Sequence, residues 1–479
     1  MASSNSEGSS KQVKHEDLVL FMNSFASEFN NDNLHDRVLV FEVIEKSEDG
    51  GKETPEHPNS RNRKGAGKGR NSNKRNSSSK KPVHVKEVGA HENQDGKIVL
   101  EGKKEGENRT KLFVHSSWLA VHSPYFKALF YSGMKETHSK EVVMRIHESE
   151  LQAHLLLIEA MYKLDVLDDK DITLILEVLV LADKYDANLM FKKCKCVLIS
   201  TPLSLETCEQ TLNSVAEIPD CADVLDAVAA FLVKEFSPLD KTWTADKFLA
   251  LSKASLKSLL SNDKLVVMSE NTVFVALMAW LHDHREEAAQ DGRFFLSLVR
   301  FELMTPNFIY DIVRHDTMAK SLDGFHEILL DGFAYHALPQ SRINQLNVKP
   351  ISRSGYTDSG PTFSWVIDQE EQRMLIEVDT IFSSMFWLQG YRMGLKLNYE
   401  KVSKKYSMYL YLYNLKEGHV EIDWNAKSDL FSKKVVCCKS CTYTTSSTGY
   451  GARDLQSNKV PSIEANTPTR IVQVWVHIS

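Results

Sequence analysis

The chain has 479 residues, 42% hydrophobic and 25% charged, an ordinary globular composition with length for roughly two to four domains. Its net charge of -6 supplies no overall basic field, so nucleic-acid binding by bulk electrostatics is not implied. The opening MASSNSEGSSKQVKHED lacks the apolar core of a signal peptide, and no window offers about 18 uncharged apolar residues, so a soluble intracellular protein is expected.

Leu18, Phe21, Met22, Phe25 and Phe29 recur at three- and four-residue intervals and predict one apolar helix face over 14–30. Arg37 to Ile44, RVLVFEVI, is a β-branched and aromatic run of strand length. From about 46 to 93 the apolar pattern vanishes. Its centre, RNRKGAGKGRNSNKRNSSSKK, contains no acidic residue and predicts a disordered basic insertion, since it buries too little surface to offset its ordering entropy. The run Arg61 to Lys81 reads equally as a nuclear localisation signal or weak nucleic-acid contact and as a solvated linker.

Lys97 to Leu100 and Lys111 to Val114 are candidate strands. Ser123-Pro124 supplies a cap and a first-turn proline for a helix from Tyr125 to Tyr131, with Gly133 as its stop. Ser149-Glu-Leu-Gln152 has a capping-box pattern and opens a helix through Met161. The helix over 171–182 is apolar on nearly every side and is expected at the centre of a mixed α/β domain. Amphipathic helices follow over Val224 to Phe236, Lys247 to Leu260 and, after a Ser269 cap, as far as His284. Beyond Pro350, short alternating runs at Thr362–Trp365, 395–397, 408–413 and 471–477, separated by Gly, Asn, Asp and Ser, predict an all-β sandwich.

Little here points to catalysis. Gly67-Lys68 has neither the leading glycine nor the following hydroxyl residue of a phosphate loop, and His282 and His284 stand two apart rather than four. There is no nucleophile elbow and no dinucleotide fingerprint. Seven irregularly spaced cysteines suit reduced thiols, and Cys437, Cys438 and Cys441 have no second ligand pair at zinc spacing. A non-catalytic chain without metal or cofactor is expected.

The stretch FVHSSWLAVHSPYFKALFYSGMKETHSKEVVMRI, followed by LVLADKYDANLMFKKC, resembles a BTB/POZ domain. FLALSKASLKSLLSNDKLVVMSENTVFVALMAWLHDH and then VRFELMTP resemble a BACK domain, the helical extension that commonly follows BTB. With FMNSFASEFNNDNLHDRVLVFEV and the basic insertion, the order resembles the plant light-response BTB group and its relatives. WVID, GYRMGLKL and YLYLYNL resemble a MATH/TRAF-like β-sandwich, from which the tail over 437–467 departs.

The expected architecture is multidomain, α/β plus α plus β. A disordered 1–13 precedes a BTB/POZ domain over 14–200 with its insertion at 46–93, a BACK domain over 201–340, a linker over 341–360 and a β-sandwich over 361–479. The resemblance implies a homodimer built on the face of Leu18, Phe21, Phe25 and Phe29, the alternative being that this helix folds back on its own domain, with Asp36 and His115 shaping the buried core. It also implies a contact to cullin-3 through the hydrophobic-x-Glu motif Met134, Lys135, Glu136. Full burial of Met134 on a partner would contribute roughly 1.5–3 kcal/mol.

The function so implied is substrate recognition for a cullin-3 ubiquitin ligase, in the nucleus, the cytoplasm or both. A dimeric transcriptional corepressor or assembly scaffold without a ligase is the alternative. Substrate capture is expected from the β-rich end, where Trp365, Phe386, Trp387, Tyr391, Tyr409, Tyr411 and Tyr413 offer aromatic anchors, most of them expected in the core, with Trp387, Tyr391 and Tyr411 as the candidates. The substrate itself is an unspecified protein.

Overall fold

The computed structural model describes residues 25–44, 90–92, 98–100, 109–133, 138–345, 350–355, 362–432, 435–457 and 469–478. The chain divides into two compact units, Met1–Pro202 with Ser214–Val224, and Leu203–Asn213 with Leu225–Ser479.

In the first unit β1 (Arg37–Val43) lies between β4 (Arg109–Val114), antiparallel to it, and β5 (Glu141–Ile146), parallel. A central strand is covered on both faces, and Val38, Leu39, Val40 and Phe41 are accordingly all buried in succession. Strands β2 (Ala90–Glu92) and β3 (Ile98–Leu100) form a separate antiparallel pair, and the rest of the expected insertion over 46–93 lies outside the described residues.

Helices Ser116–His122, Pro124–Tyr131, Leu151–Tyr162, Ile172–Lys184 and Asn188–Ser200 belong to the same unit. The most enclosed is Leu151–Tyr162, with all but two of its residues buried, whereas Val180 of the helix expected at the centre is exposed. The capping box also sits two residues earlier than its sequence pattern. His147 and Glu150 form it, with the His147 amide donating to Glu150 Oε2 at 3.2 Å, and a 3₁₀ turn over Glu148–Glu150 leads into the helix.

The helical part of the second unit is organised around Glu270–Asp283, which buries Val273, Phe274, Leu277, Trp280 and Leu281, and whose Ser269 cap accepts from the Asn271 amide at 3.2 Å. The expected helix Lys247 to Leu260 is two helices, Asp246–Leu249 and Lys253–Ser261. The break is enforced by bonding: the Leu251 carbonyl accepts from Trp280 Nε1 at 2.9 Å, and Ser252 recaps the chain by accepting from the Ser255 amide at 3.2 Å.

The expected linker is anchored where it is described. Arg353 is buried in the helical part, and Val266 and Ser354 form a parallel bridge.

Two antiparallel sheets end the chain. One has the order β13 (Gly449–Gln456), β10 (Lys405–Leu412), β9 (Tyr391–Glu400) and β7 (Thr380–Phe382), with β8 (Phe386–Leu388) also on β9. The other runs β12 (Val435–Thr444), β11 (His419–Ser428), β14 (Arg470–Ile478), β6 (Thr362–Ile367). Alternation buries Tyr406, Met408, Leu410 and Leu412 from the first sheet, and Val420, Ile422, Trp424 and Ala426 from the second.

The region is not all-β as expected, because a helix Gln369–Val378 follows β6. Asp368 and Glu371 make its capping box: Asp368 Oδ1 accepts from the Glu371 amide at 2.8 Å, and Glu371 Oε2 accepts from the Asp368 amide at 3.1 Å. One continuous apolar core extends from Cys208 through the helical part to Val474 of the sandwich.

Candidate functional site

The end of the helix Pro124–Tyr131 is fixed by several side chains. Ser123 Oγ accepts from the Phe126 amide at 3.2 Å and donates to the Tyr185 carbonyl at 2.5 Å. At the other end Tyr131, exposed, keeps its hydroxyl 2.8 Å from Ser116 Oγ, and Gly133 turns the chain with φ +79°. Met134, Lys135 and Glu136 come next and lie outside the described residues.

Asp36 is held by the same serine: the Ser116 amide donates to Oδ1 at 2.7 Å and the Ser116 hydroxyl to Oδ2. Burial acts to raise its pKa, but the two Ser116 bonds and Arg37 together hold the carboxyl below its ordinary value. Asp36 is exposed, so it pins the start of a helix rather than shaping the buried core. His115 is half-buried, and its amide donates to the Tyr162 hydroxyl at 2.9 Å.

Of the expected dimer face, Leu18 and Phe21 lie outside the described residues. Phe25 stacks on Trp118 of its own chain at 4.3 Å between centroids, and Phe29 packs on Tyr162 at 5.6 Å. The described part of the segment is a 3₁₀ turn over Ala26–Glu28.

In the second unit, two of the three candidate anchors are used inside the protein. Tyr391 is 1% exposed, lies edge-on to Phe308 at 5.2 Å, and has its phenol pKa raised by burial. Trp387 meets Trp243 edge to face at 5.1 Å. The cause is the turn between β8 and β9, which inserts against the helical part. Asn271 Nδ2 donates to the Gln389 carbonyl at 3.2 Å, and a Cβ on Gly390 would fall 2.7 Å from the Phe308 ring.

Glu417 reinforces the junction: Arg314 donates to it at 2.5 Å, and His315 Nε2 is 2.8 Å away. Tyr391 is therefore not an outward anchor, and Trp387, half-buried, is packed against Trp243. Tyr411, half-buried, points from the outer face of β10. The sequence carried a signal for the Gln389-Gly390 turn but none for its partner surface.

A 520 Å³ cavity in the first unit is lined by both signs of charge, including Asp183, Lys192 and Asp220. Lys195 spans it, donating to the Asp220 carbonyl at 2.5 Å and to Asp223 Oδ1 at 2.9 Å, so that part of its polar wall is internally paired. Among the described residues no group of three His, Cys, Asp or Glu side chains is placed to hold a metal. No described helix is long and apolar enough to cross a membrane.

Comparison with known families matches residues 95–201 to the BTB/POZ domain and residues 211–314 to BACK, "BTB And C-terminal Kelch". A BTB/POZ domain-containing protein of Arabidopsis thaliana is 27% identical over 219 residues, 44% of this chain and 41% of the relative. Kelch-like protein 28 of Homo sapiens is 28% identical over 239 residues, covering 50% of this chain and 40% of the relative. Kelch-like protein 3 of Homo sapiens is 26% identical over 226 residues, with shares of 47% and 37%. The chain thus spans about two fifths of the length of the curated relatives it matches.

Proposed function

We propose that this chain, in which a BTB/POZ domain is followed by a BACK domain, is a dimeric substrate-recognition adaptor of a cullin-3 ubiquitin ligase. The observation that carries the reading is the order of those two domains, with Met134-Lys135-Glu136 following Ser132-Gly133 at the end of the helix Pro124–Tyr131. Met134 supplies a flexible apolar group for a pocket on the partner, and Glu136 a carboxylate that fixes orientation. The chain itself needs no catalytic group for this role, and it would work in the nucleus, the cytoplasm or both.

The test is capture of purified cullin-3 N-terminal domain by the full chain, beside a Met134→Asp/Glu136→Lys variant. Binding at micromolar concentration that the variant loses is the expected result. A folded parent that captures no cullin overturns the ligase reading and leaves a dimeric scaffold or corepressor.

Dimerisation is checked separately by sedimentation. The parent should run as a dimer and a Leu18→Asp/Phe21→Asp variant as a monomer, whereas an unchanged variant removes that face from the interface.

A further inference from the structure

The outward face of the sheet β13-β10-β9-β7 carries an arrangement that the core does not require. Strand β10 sends Tyr409 and Tyr411 outward, and Tyr413 continues the alternation just past its end. In register across the sheet, Lys396 lies opposite Tyr409 and Gly394 opposite Tyr411 on one side, with Gly451 and Gly449 at the same levels on the other.

These glycines make room for rings. A Cβ on Gly449 would stand 2.5 Å from Tyr411 Cε1, and one on Gly451 2.0 Å from the Met408 carbonyl oxygen and 2.6 Å from Tyr409 Cδ1. A Cβ on Gly394 would be 3.2 Å from Tyr413 Cε2. The side chains of Tyr409 and Tyr411 therefore lean across the sheet over bare backbone, and Tyr411 and Tyr413 are 6.2 Å apart at an interplanar angle of 25°.

The rim is apolar on one side and cationic around the rings. Phe382 and Met385 are 57% and 45% exposed, and Tyr413 is 44% exposed. Arg453 lies 6.0 Å from the Tyr409 ring, Lys396 lies 5.6 Å from Phe382, and Arg392 is exposed beside Tyr413, whose amide bonds its carbonyl at 2.9 Å. Among the described residues none of these three cations forms an ion pair, although other surface cations of the sandwich, Lys401, Lys405 and Arg470, do.

We propose that this face is a docking surface for an extended acidic peptide segment of a partner protein. Tyrosines at alternate positions of a strand repeat at about 6.6–6.8 Å, the same interval at which an extended peptide presents alternate side chains. Apolar or proline residues of the segment rest on the three rings, and its intervening carboxylates meet Arg392, Lys396 and Arg453. Three separated cations in a chain of net charge -6 suit a short acidic peptide better than a continuous phosphate backbone.

Describing the partner as a substrate rests on the adaptor reading above; the surface does not. The experiment is fluorescence anisotropy of the full chain with an array of short labelled peptides. In these Asp or Glu alternates with Pro, Leu or Val, and charge-reversed Lys counterparts and oligouridylate serve as comparisons.

Acidic members should bind and the Lys counterparts should not. An Arg392→Glu/Lys396→Glu variant and a separate Tyr411→Ala variant should each weaken binding by about tenfold or more, while Lys427→Glu on the other sheet leaves it unchanged. Each variant is first shown by circular dichroism and its melting transition to be folded.

Equal binding of acidic and basic peptides, affinity unaltered by folded face variants, or preference for oligouridylate would each overturn the proposal. Cullin capture is independent of all these outcomes, so failure of the surface and failure of the adaptor reading are distinguishable.

Discussion

Arg353 Nε donates to Glu270 Oε1 across 2.7 Å, with the two side chains 1% and 4% exposed, so a residue between the helical part and the sandwich is held by the first turn of a central helix. Arg353 also donates to the carbonyls of Asn262 at 3.2 Å and Leu298 at 2.9 Å, and Glu270 Oε2 accepts from the Arg300 amide at 3.2 Å. Burial lowers the guanidinium pKa from its ordinary value, while the facing Glu270 carboxylate opposes that effect.

Removing one member leaves the other charge buried without its partner. Arg353→Ala is therefore expected to cost roughly 3–5 kcal/mol, seen as a fall in the urea midpoint of the second unit. An Arg353→Met/Glu270→Leu double variant should recover part of the loss, not all, because the Arg300 amide and two carbonyls lose their partners. A single variant as stable as the parent would remove this role.

The junction of the helical part with the sandwich is tested at Gly390. Its φ is +81°, and a Cβ there would also lie 2.9 Å from Asn271 Cβ. Gly390→Ala should lose about 2 kcal/mol or more from left-handed strain and overpacking. Accelerated proteolysis between the helical part and the sandwich would accompany the loss. An unchanged denaturation curve would show that the turn does not set the junction.

Acid sensitivity is expected at His154. This ring is buried, with Nδ1 donating to the Glu150 carbonyl and Nε2 accepting from the Tyr185 hydroxyl, each at 2.8 Å. Burial pushes its pKa below the ordinary value; the Glu150 carbonyl and carboxylate act against the shift, and Lys184 acts with it.

The unfolded chain then binds the proton more tightly than the folded one. The stabilisation from the neutral ring is complete above about pH 6.5 and is lost as pH falls from there through the lower folded pKa. Melting temperatures should drop over that window. His154→Leu should be less stable at neutral pH yet show a shallower decline, which persists in part because His122 is shifted in the same direction. Parallel pH profiles for parent and variant would contradict this.

Thiol reactivity should follow burial. Cys194 and Cys208 are enclosed, and burial pushes both thiols up to about 12, whereas Cys196 and Cys437 are exposed. Titration with a chromogenic disulfide should show a fast phase that a Cys196→Ser/Cys437→Ser variant reduces by two thiols, with half-buried Cys438 reacting more slowly. Cys194 and Cys208 should react only on unfolding, and their prompt labelling in the folded chain would refute the assignment.

Local residue chemistry made much of the fold legible. Strand β1 follows from its β-branched run, Ser123-Pro124 and Ser269 mark helix starts, and the alternation along β10 marks its two faces. The helix Gln369–Val378 had a readable signal in Asp368 and Glu371, but it is short and stands among strands, so the surrounding alternation outweighed it. The break at Leu251 could not be read locally, because its cause is the indole of Trp280, 29 residues away in sequence.

Among the seven aromatic residues of the β-rich end, residue type alone did not separate Trp387, Tyr391 and Tyr411 from one another. A period of two says that alternate residues share a face, not which face is covered by something else. Packing against Phe308 decided that for Tyr391 and packing against Trp243 in part for Trp387, while Tyr411 stands on the outward alternation of β10 with room for its ring left by Gly449.

The sequence by itself thus determined where several strands and helices lie and the kinds of side chain available, since these depend on neighbours within a few residues, and its resemblance to BTB/POZ and BACK set the order of those two domains. Only the tertiary structure decided that the residues around Arg353 are anchored, that the helical part and the sandwich share one core, and that Tyr409, Tyr411 and Tyr413 rest over bare backbone. Those features are contacts between segments tens to more than a hundred residues apart, and their energies arise from burial and pairing that no local pattern records.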